Sequence, residues 1–345
     1  MAKPTIMDVA REAQVSYATV SRFLNGNPHV SPAAAERIRK AVKAVRYVPN
    51  NAARSLVTQR TETIAFVMHG DAATITTDPN VNTILVAANQ AVSAAGYQLV
   101  SLIADSPEAS DRIASLARSG FADGWILNSM HIDDPLFQVF ADLDIPVAVS
   151  GASYGDASPF PCVDIDNRAA AAAITEYLKG KGHRRIACIA GPSYIPCSRE
   201  RLEGFRDAMG EDYDETLVIE ADGWGRSNGR DAVRTLWERF ERGQAGDYDA
   251  PHYGIDALAC GNDCLAAGAM LELGLRGVDV PGDIAVTGFD DSPDAEAARP
   301  ALTTVHQPIE RFGAELADMV LAQIEGREPK RLVRVETGLV MRDSA

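Results

Sequence analysis

The run Thr5-Ile6-Met7-Asp8-Val9-Ala10, followed by Val15-Ser16-Tyr17-Ala18-Thr19-Val20-Ser21-Arg22 and then Asn25, decides how the start of this chain is read. Thr5 precedes apolar positions Ile6, Val9, Ala10 and Ala13 at helical spacing, with Asp8 three residues on. A side-chain oxygen and an acid are thus placed to cap a first helix. The periodicity breaks at Gln14-Val15. Ser16 then caps a second helix over 17–24, in which Val20 and Leu24 face the first helix and Tyr17, Ala18, Ser21 and Arg22 point outward. Asn25-Gly26-Asn27-Pro28 is a strong stop. Ser31-Pro32 opens a third helix through Ala35, Ile38, Ala41, Val42 and Val45, with Arg37, Arg39, Lys40 and Lys43 among its polar positions. Two short helices about a tight turn, closed by a third, make a helix-turn-helix whose second helix fits a major groove.

The charge is distributed to match. Residues 1–60 hold ten basic side chains against Asp8, Glu12 and Glu36, a formal +7, which leaves −22 for the rest of a chain whose total is −15. A basic head attracts phosphate and an acidic body repels it, so any nucleic-acid contact is expected in the first sixty residues alone.

Taken with the block Arg46-Tyr47-Val48-Pro49-Asn50-Asn51-Ala52-Ala53-Arg54-Ser55-Leu56, the head resembles that of the lactose/galactose repressor family, the second block matching the family's hinge. The resemblance implies operator DNA as a partner, near-palindromic and read by a homodimer. Tyr17, Ala18 and Arg22 then face base edges: Arg22 suits a bidentate contact to guanine, and Ala18 offers a methyl to thymine. Thr5, Ser16, Thr19, Ser21, Asn25 and His29 are placed on phosphates, which position without carrying sequence information, although His29 also reads as a plain surface residue. Gln14 departs from the glycine common in the family's turn; if the position needs positive φ, it costs about 1 kcal/mol. The segment near 50–57 is too short to hold as an isolated helix. In the family it folds when two chains meet over the operator and Leu56 wedges the minor groove; apolar wedges suit that task. The alternative is Leu56 packed on the body.

From Glu62 onward, apolar runs at 63–68, 98–103, 124–128, 146–149, 186–190, 257–260 and 284–288 alternate with helical stretches at 82–95, 109–118, 168–179, 198–209, 230–239 and 263–273. Such alternation predicts parallel sheets covered by helices on both faces, with ligand at the carboxyl ends of the strands. The resemblance runs on through Asp164-Ile165-Asp166-Asn167, Gly182-His183-Arg184-Arg185, Arg201-Leu202-Glu203-Gly204-Phe205, Gly261-Asn262-Asp263, Gly288-Phe289-Asp290-Asp291 and Pro300-Ala301-Leu302-Thr303-Thr304-Val305, to a closing strand at 339–344. The expected fold class is an N-terminal all-α helix-turn-helix domain plus an α/β periplasmic-binding-protein-like body of two doubly wound parallel-sheet lobes. Expected boundaries are 1–48 for the head, 49–61 for the hinge and 62–345 for the body. Within the body, one lobe spans 62–161 plus 292–325, and the other 162–291 plus 326–345. No leucine-heptad tail follows the closing strand, so a dimer is expected rather than a tetramer.

By the same resemblance, Arg201, Asn262, Asp290 and Asn128 line the cleft, and Trp224 lays an aromatic face on the ligand. The alternative readings are a helix cap for Asn262, core for Trp224, and a structural salt bridge for the pair Asp290 and Arg201. His69 and Asp71, ending the first strand, are further candidates. Gly151 stands where many sugar-responsive members carry a carboxylate. The implied effector is a small molecule, a sugar that releases a repressor of carbohydrate-utilisation genes. The alternatives are a purine-type corepressor and a transport-associated binding protein whose head is incidental.

Other classes fare poorly. Gly223-Trp224-Gly225 lacks the spacing of a dinucleotide fingerprint, and Lys179-Gly180-Lys181-Gly182 lacks the frame of a phosphate loop. There is no HExxH, GxSxG or set of His and Cys at metal-ligand spacing, so no enzyme, cofactor or metal is expected. Five cysteines without a CxxC pair imply no disulfide framework. No run approaches the ~18 apolar residues of a membrane span, and Met1-Ala2-Lys3-Pro4 leads into a polar periodic segment rather than a signal peptide, so a cytoplasmic location is expected.

Overall fold

The computed structural model describes residues 4–24, 29–48, 60–70, 75–76, 78–128, 134–151, 158–243 and 251–345. The chain divides into two compact units, Met1–Glu62 and Thr63–Ala345.

The first unit contains α1 (Ile6–Ala13), α2 (Tyr17–Leu24) and α3 (Pro32–Val45). Thr5 and Asp8 form the capping box expected of them: Thr5 Oγ1 accepts from Asp8 N and Asp8 Oδ2 accepts from Thr5 N, at 3.4 and 2.9 Å. Ser31 caps α3, with Pro32 at its first turn. Val9, Ala10, Ala13, Val20, Ile38 and Ala41 form the buried centre, and Leu24 packs at its edge. Gln14 ends α1 in the left-handed region at φ 51°, the conformation in which a non-glycine residue is strained. Ser21 is half-buried rather than fully outward.

The second unit holds two parallel sheets. The first comprises β1 (Thr63–His69), β2 (Gln98–Ala104), β3 (Gly124–Asn128), β4 (Val147–Ser150), β5 (Cys162–Asp164) and β11 (Leu332–Arg334), in the order β11-β5-β4-β3-β1-β2. The second comprises β6 (Ile186–Ala190), β7 (Val218–Glu220), β8 (Ala257–Cys260) and β9 (Ala285–Thr287), in the order β7-β6-β8-β9. Strands β1, β3, β6 and β8 are apolar and buried along most of their length because helices cover both faces. The helices α4 (Pro79–Ala94), α5 (Pro107–Arg118), α6 (Pro135–Ala141) and α12 (Ile309–Ile324) cover the first sheet; α7 (Asn167–Gly180), α8 (Pro196–Met209), α9 (Arg226–Glu241) and α10 (Asp263–Leu275) pack about the second. A short α11 (Pro293–Ala297) adds Ala295 to the second lobe's core.

The lobe boundaries fall elsewhere than the sequence suggests. Cys162–Asp164 is paired with β4 and Leu332–Arg334 with β5, so both belong to the first sheet, not the second lobe. Ala295 and Leu302 belong to the second lobe's core, so the return to the first lobe comes near 304–309 rather than at 292. These strands are three residues long, too short for alternation to assign them to a sheet. Between the lobes, β10 (Thr304–His306) pairs antiparallel with β12 (Gly338–Val340), and Ser344 bonds both ways with the backbone of Val286.

Candidate functional site

In each of the two parallel sheets of the body the strand order reverses at one point, β1 beside β3 in the first and β6 beside β8 in the second. Loops leave such a point in opposite directions and open a crevice beyond the strands' carboxyl ends. A cavity of about 800 Å³ lies there, lined from the first lobe by His69, Asp78, Asn128 and Asp134 and from the second by Arg201, Trp224 and Asn262, with Asp290 and Gln307 from the crossing segments.

Arg201 is the hub of the floor. Its Nε donates to Asn167 Oδ1 at 3.0 Å, its Nη1 donates to the Gly261 carbonyl at 2.7 Å, and Nη1 stands 3.5 Å from Asp290 Oδ1. Its guanidinium lies 3.7 Å from the Phe289 ring centroid and 5.7 Å from that of Trp224. Asn167 uses its amide nitrogen on Glu200 (3.0 Å) and Asp164 (3.3 Å), which links the end of β5 to Arg201. Gln307 donates to Asp290 Oδ1 at 2.6 Å. Burial pushes the Asp290 carboxyl up, the Arg201 guanidinium pulls it down, and Asp263 and Asp78 raise it again; the upward push prevails. Asp263, fully buried, accepts from Ser292 N (2.7 Å) and Thr304 Oγ1 (2.6 Å) across the crossing segment.

Trp224 packs against the second lobe's core, and one face of its ring lies over backbone. A Cβ at Gly191 would strike its ring, and one at Gly261 would come within 3.3 Å of it, so these two glycines let the indole settle on the switch point of the second sheet. Half-buried, it leaves part of its surface to the cavity. Asn262 takes up the capping role while standing at the cavity. Its Oδ1 caps α10 by accepting from Leu265 N at 2.8 Å, and its Nδ2 donates to the Trp224 carbonyl at 3.3 Å, at the cavity wall. His69 Nδ1 lies 2.9 Å from Asp134 Oδ2, and Asp134 Oδ1 caps α6.

The head presents a different surface. Tyr17, Ala18 and Arg22 are exposed on α2, Ser16 Oγ accepts from Thr19 N at 3.2 Å, and Thr5, Ser16 and His29 are exposed around them. Phe23, on the inner side, is held under the Arg39 guanidinium at 5.5 Å. Asn25, Leu56 and Asp71 lie outside the described residues.

Comparison with known proteins resolves what this pairing is. The profile of bacterial regulatory proteins of the lacI family matches residues 5–50, and that of a periplasmic binding protein-like domain matches residues 175–345. The HTH-type transcriptional regulator CelR of Thermobifida fusca is 38% identical over 99% of this chain and 98% of its own. The chain belongs to the lacI family of bacterial regulatory proteins. Another relative is the HTH-type transcriptional regulator GalR of Escherichia coli (strain K12), 31% identical over 98% of this chain and 94% of its own. Among solved structures, a transcriptional regulator CelR-cellobiose complex superposes with a TM-score of 0.75 at 35% identity, covering 99% of this chain and 100% of that one. A lac repressor dimer bound to operator and the anti-inducer ONPF shares the fold, with a TM-score of 0.84 at 24% identity over 99% of both chains.

As a lacI-family member the chain is a DNA-binding transcription regulator with a helix-turn-helix head and a periplasmic-binding-protein-like body, which leaves no place for an incidental head. No helix among the described residues is long and apolar enough to cross a membrane. Of the expected cleft residues, the structure brings His69, Asn128, Arg201, Trp224, Asn262 and Asp290 to one cavity. Sequence reasoning missed Asp78, Asp134, Asn167 and Gln307. A signal existed for Asp78 and Asp134, each of which precedes a proline that opens a helix, but it announces a cap rather than a cavity wall.

Proposed function

We propose that this regulator binds a near-palindromic operator as a homodimer, represses carbohydrate-utilisation genes and is released by a saccharide of two linked rings. Tyr17, Ala18 and Arg22 read base edges, and Thr5, Ser16, Thr19, Ser21, Asn25 and His29 hold phosphates. Leu56, on the 49–61 hinge, wedges the central step. His69, Asp71, Asn128, Arg201, Trp224, Asn262 and Asp290 hold the sugar. The observation that carries the effector class is the floor of the cleft: a half-exposed indole beside a guanidinium, a carboxylate and two carboxamides. An indole face takes the C–H face of a pyranose, and the planar polar groups take its hydroxyls. A cavity of about 800 Å³ is near the top of the ~300–1,000 Å³ range of small-ligand sites, and a two-ring ligand fills it better than one ring. The bound disaccharide of the CelR-cellobiose complex supports that choice.

Binding that closes the lobes shifts the population away from the form in which both heads fit the operator. In vitro selection from random duplexes, followed by footprinting, tests the DNA half. The recovered sites should be inverted repeats protected on both half-sites, and single unpaired half-sites would contradict the dimer.

A further inference from the structure

The cleft is strongly acidic. Asp78, Asp134, Asp164 and Asp290 line it at buried or half-buried positions, and Asp105, Asp111 and Asp222 line it at exposed ones. Against these seven carboxyls stand Arg201, the one Lys or Arg side chain among the described lining residues, and His69. Both are already engaged: Arg201 lies 3.5 Å from Asp290, and His69 lies 2.9 Å from Asp134.

From this we infer that the effector site carries an electrostatic filter that admits uncharged saccharides and rejects anionic ones, sugar phosphates and uronates above all. The inference rests on the sugar-responsive reading above and narrows its ligand class. A phosphate monoester brings about −1.5 to −2 charges and requires cations or several free N–H donors. Helix α8 starts on the cavity, at Ile195, Pro196 and Cys197, without a side-chain cap, as do α12 at Ile309 and α9 just after Trp224. Helix N-termini attract anions elsewhere. Here Pro196 has no N–H to give, the N–H groups of Ser198 and Arg199 turn back to the Ile195 carbonyl, and Asp164 and Glu200 set a negative field at Cys197. Burial, the largest cause, pushes that thiol up to about 11; Arg201 opposes the shift, and the neighbouring acidic groups add to it. The exposed carboxylates come from both lobes, Asp105 and Asp111 beside α5 and Asp222 before Trp224, so an entering anion meets like charge from either side. A cleft with low-dielectric walls focuses such a field, and charges at the opening act within a screening length of about 10 Å at 0.1 M salt. An uncharged sugar loses nothing to this field, and its hydroxyls donate to the carboxylates.

The test is calorimetric titration of the full chain with cellobiose, cellobiose 6′-phosphate, glucose, glucose 6-phosphate and glucuronate, at low and high salt. A triple Asp105→Asn, Asp111→Asn, Asp222→Asn variant is titrated in parallel. Neutral sugars should bind at least 100-fold more tightly than their anionic counterparts at low salt, and the ratio should shrink at least tenfold in the variant. An anionic sugar that binds as tightly as its neutral partner overturns the filter and leaves the sugar-responsive reading standing. A ratio unmoved by the triple substitution overturns the assignment of the filter to these carboxylates. If no saccharide of either charge binds, the sugar reading fails and the filter falls with it.

Discussion

Replacing Arg201 by alanine should expose how much of the cleft floor is held by one buried pair. The substitution deletes the bonds to Asn167 and Gly261 and leaves Asp290, 5% exposed, without its cation. Losing one partner of a buried ion pair costs about 3–5 kcal/mol when the other charge persists. Asp290 has an escape, because burial already raises its pKa and the loss of Arg201 raises it further. The sign follows from proton counting. In the folded chain Asp290 keeps a proton that the unfolded chain releases above about pH 4, so stability falls as pH rises, by up to about 1.4 kcal/mol per unit, until the folded pKa is passed. Arg201 shortens that window in the wild type, and the variant extends it upward. In the wild type the window closes near pH 8, the value to which burial raises Asp290, so the gap between the two proteins is about 2 kcal/mol from the lost hydrogen bonds up to that pH and widens above it. Urea unfolding from pH 6 to 10 measures it. A second variant, Arg201→Ala with Asp290→Asn, should lose the added pH dependence. A gap that stays constant across the range, or persists in the double variant, would refute the assignment to Asp290.

Three further outcomes follow from other parts of the molecule. Gln14→Gly should stabilise the head by about 1 kcal/mol, since glycine occupies the left-handed region at φ 51° without strain; slower amide exchange in α1 and α2 of the full chain checks it, and faster exchange contradicts it. Gly191→Ala should drive the Trp224 ring off its seat and weaken saccharide binding at least tenfold. Trp125 and Trp237 are buried, so a shift in tryptophan emission reports on Trp224, and unchanged emission with unchanged affinity would dismiss the platform. Arg22→Ala should cost about 1–3 kcal/mol on the preferred operator and relax specificity at one base position per half-site, read by a panel of single-base operator variants. A uniform loss across the panel would make Arg22 a phosphate contact.

The sequence was most legible where local chemistry is complete within a few residues. Thr5 with Asp8, Ser16 before Tyr17 and Ser31 before Pro32 each mark a helix start by a side chain whose partner is three residues away, and α2 spans the residues expected of it. Strands β3, β6 and β8 were equally plain, being buried apolar runs between breaks. The hidden elements were short. Strands β5, β7, β10 and β11 have three residues each, and what defines them is a partner more than a hundred residues away for β5 and β11, not a pattern of their own. The cleft divides the same way. Asp290 and Asn262 stand at strand ends where an open α/β sheet puts its ligands, whereas Gln307 and Asn167 matter through contacts with Asp290 and Arg201 that only the folded chain creates. In a chain with 48 acidic residues a further aspartate carries no signal, so Asp78 and Asp134 were invisible as cavity walls.

The central claim is that saccharide and operator occupy one coupled system. Fluorescence anisotropy of the full chain on its selected duplex, with and without cellobiose, measures the coupling directly. Operator affinity should fall 5–150-fold with the sugar, an effect typical of linked sites, and the duplex should weaken sugar binding by the same factor. Affinity for the duplex should also drop steeply with salt, as phosphate contacts by a basic head require. A chain that binds cellobiose tightly yet holds the duplex equally well in its presence would contradict the account.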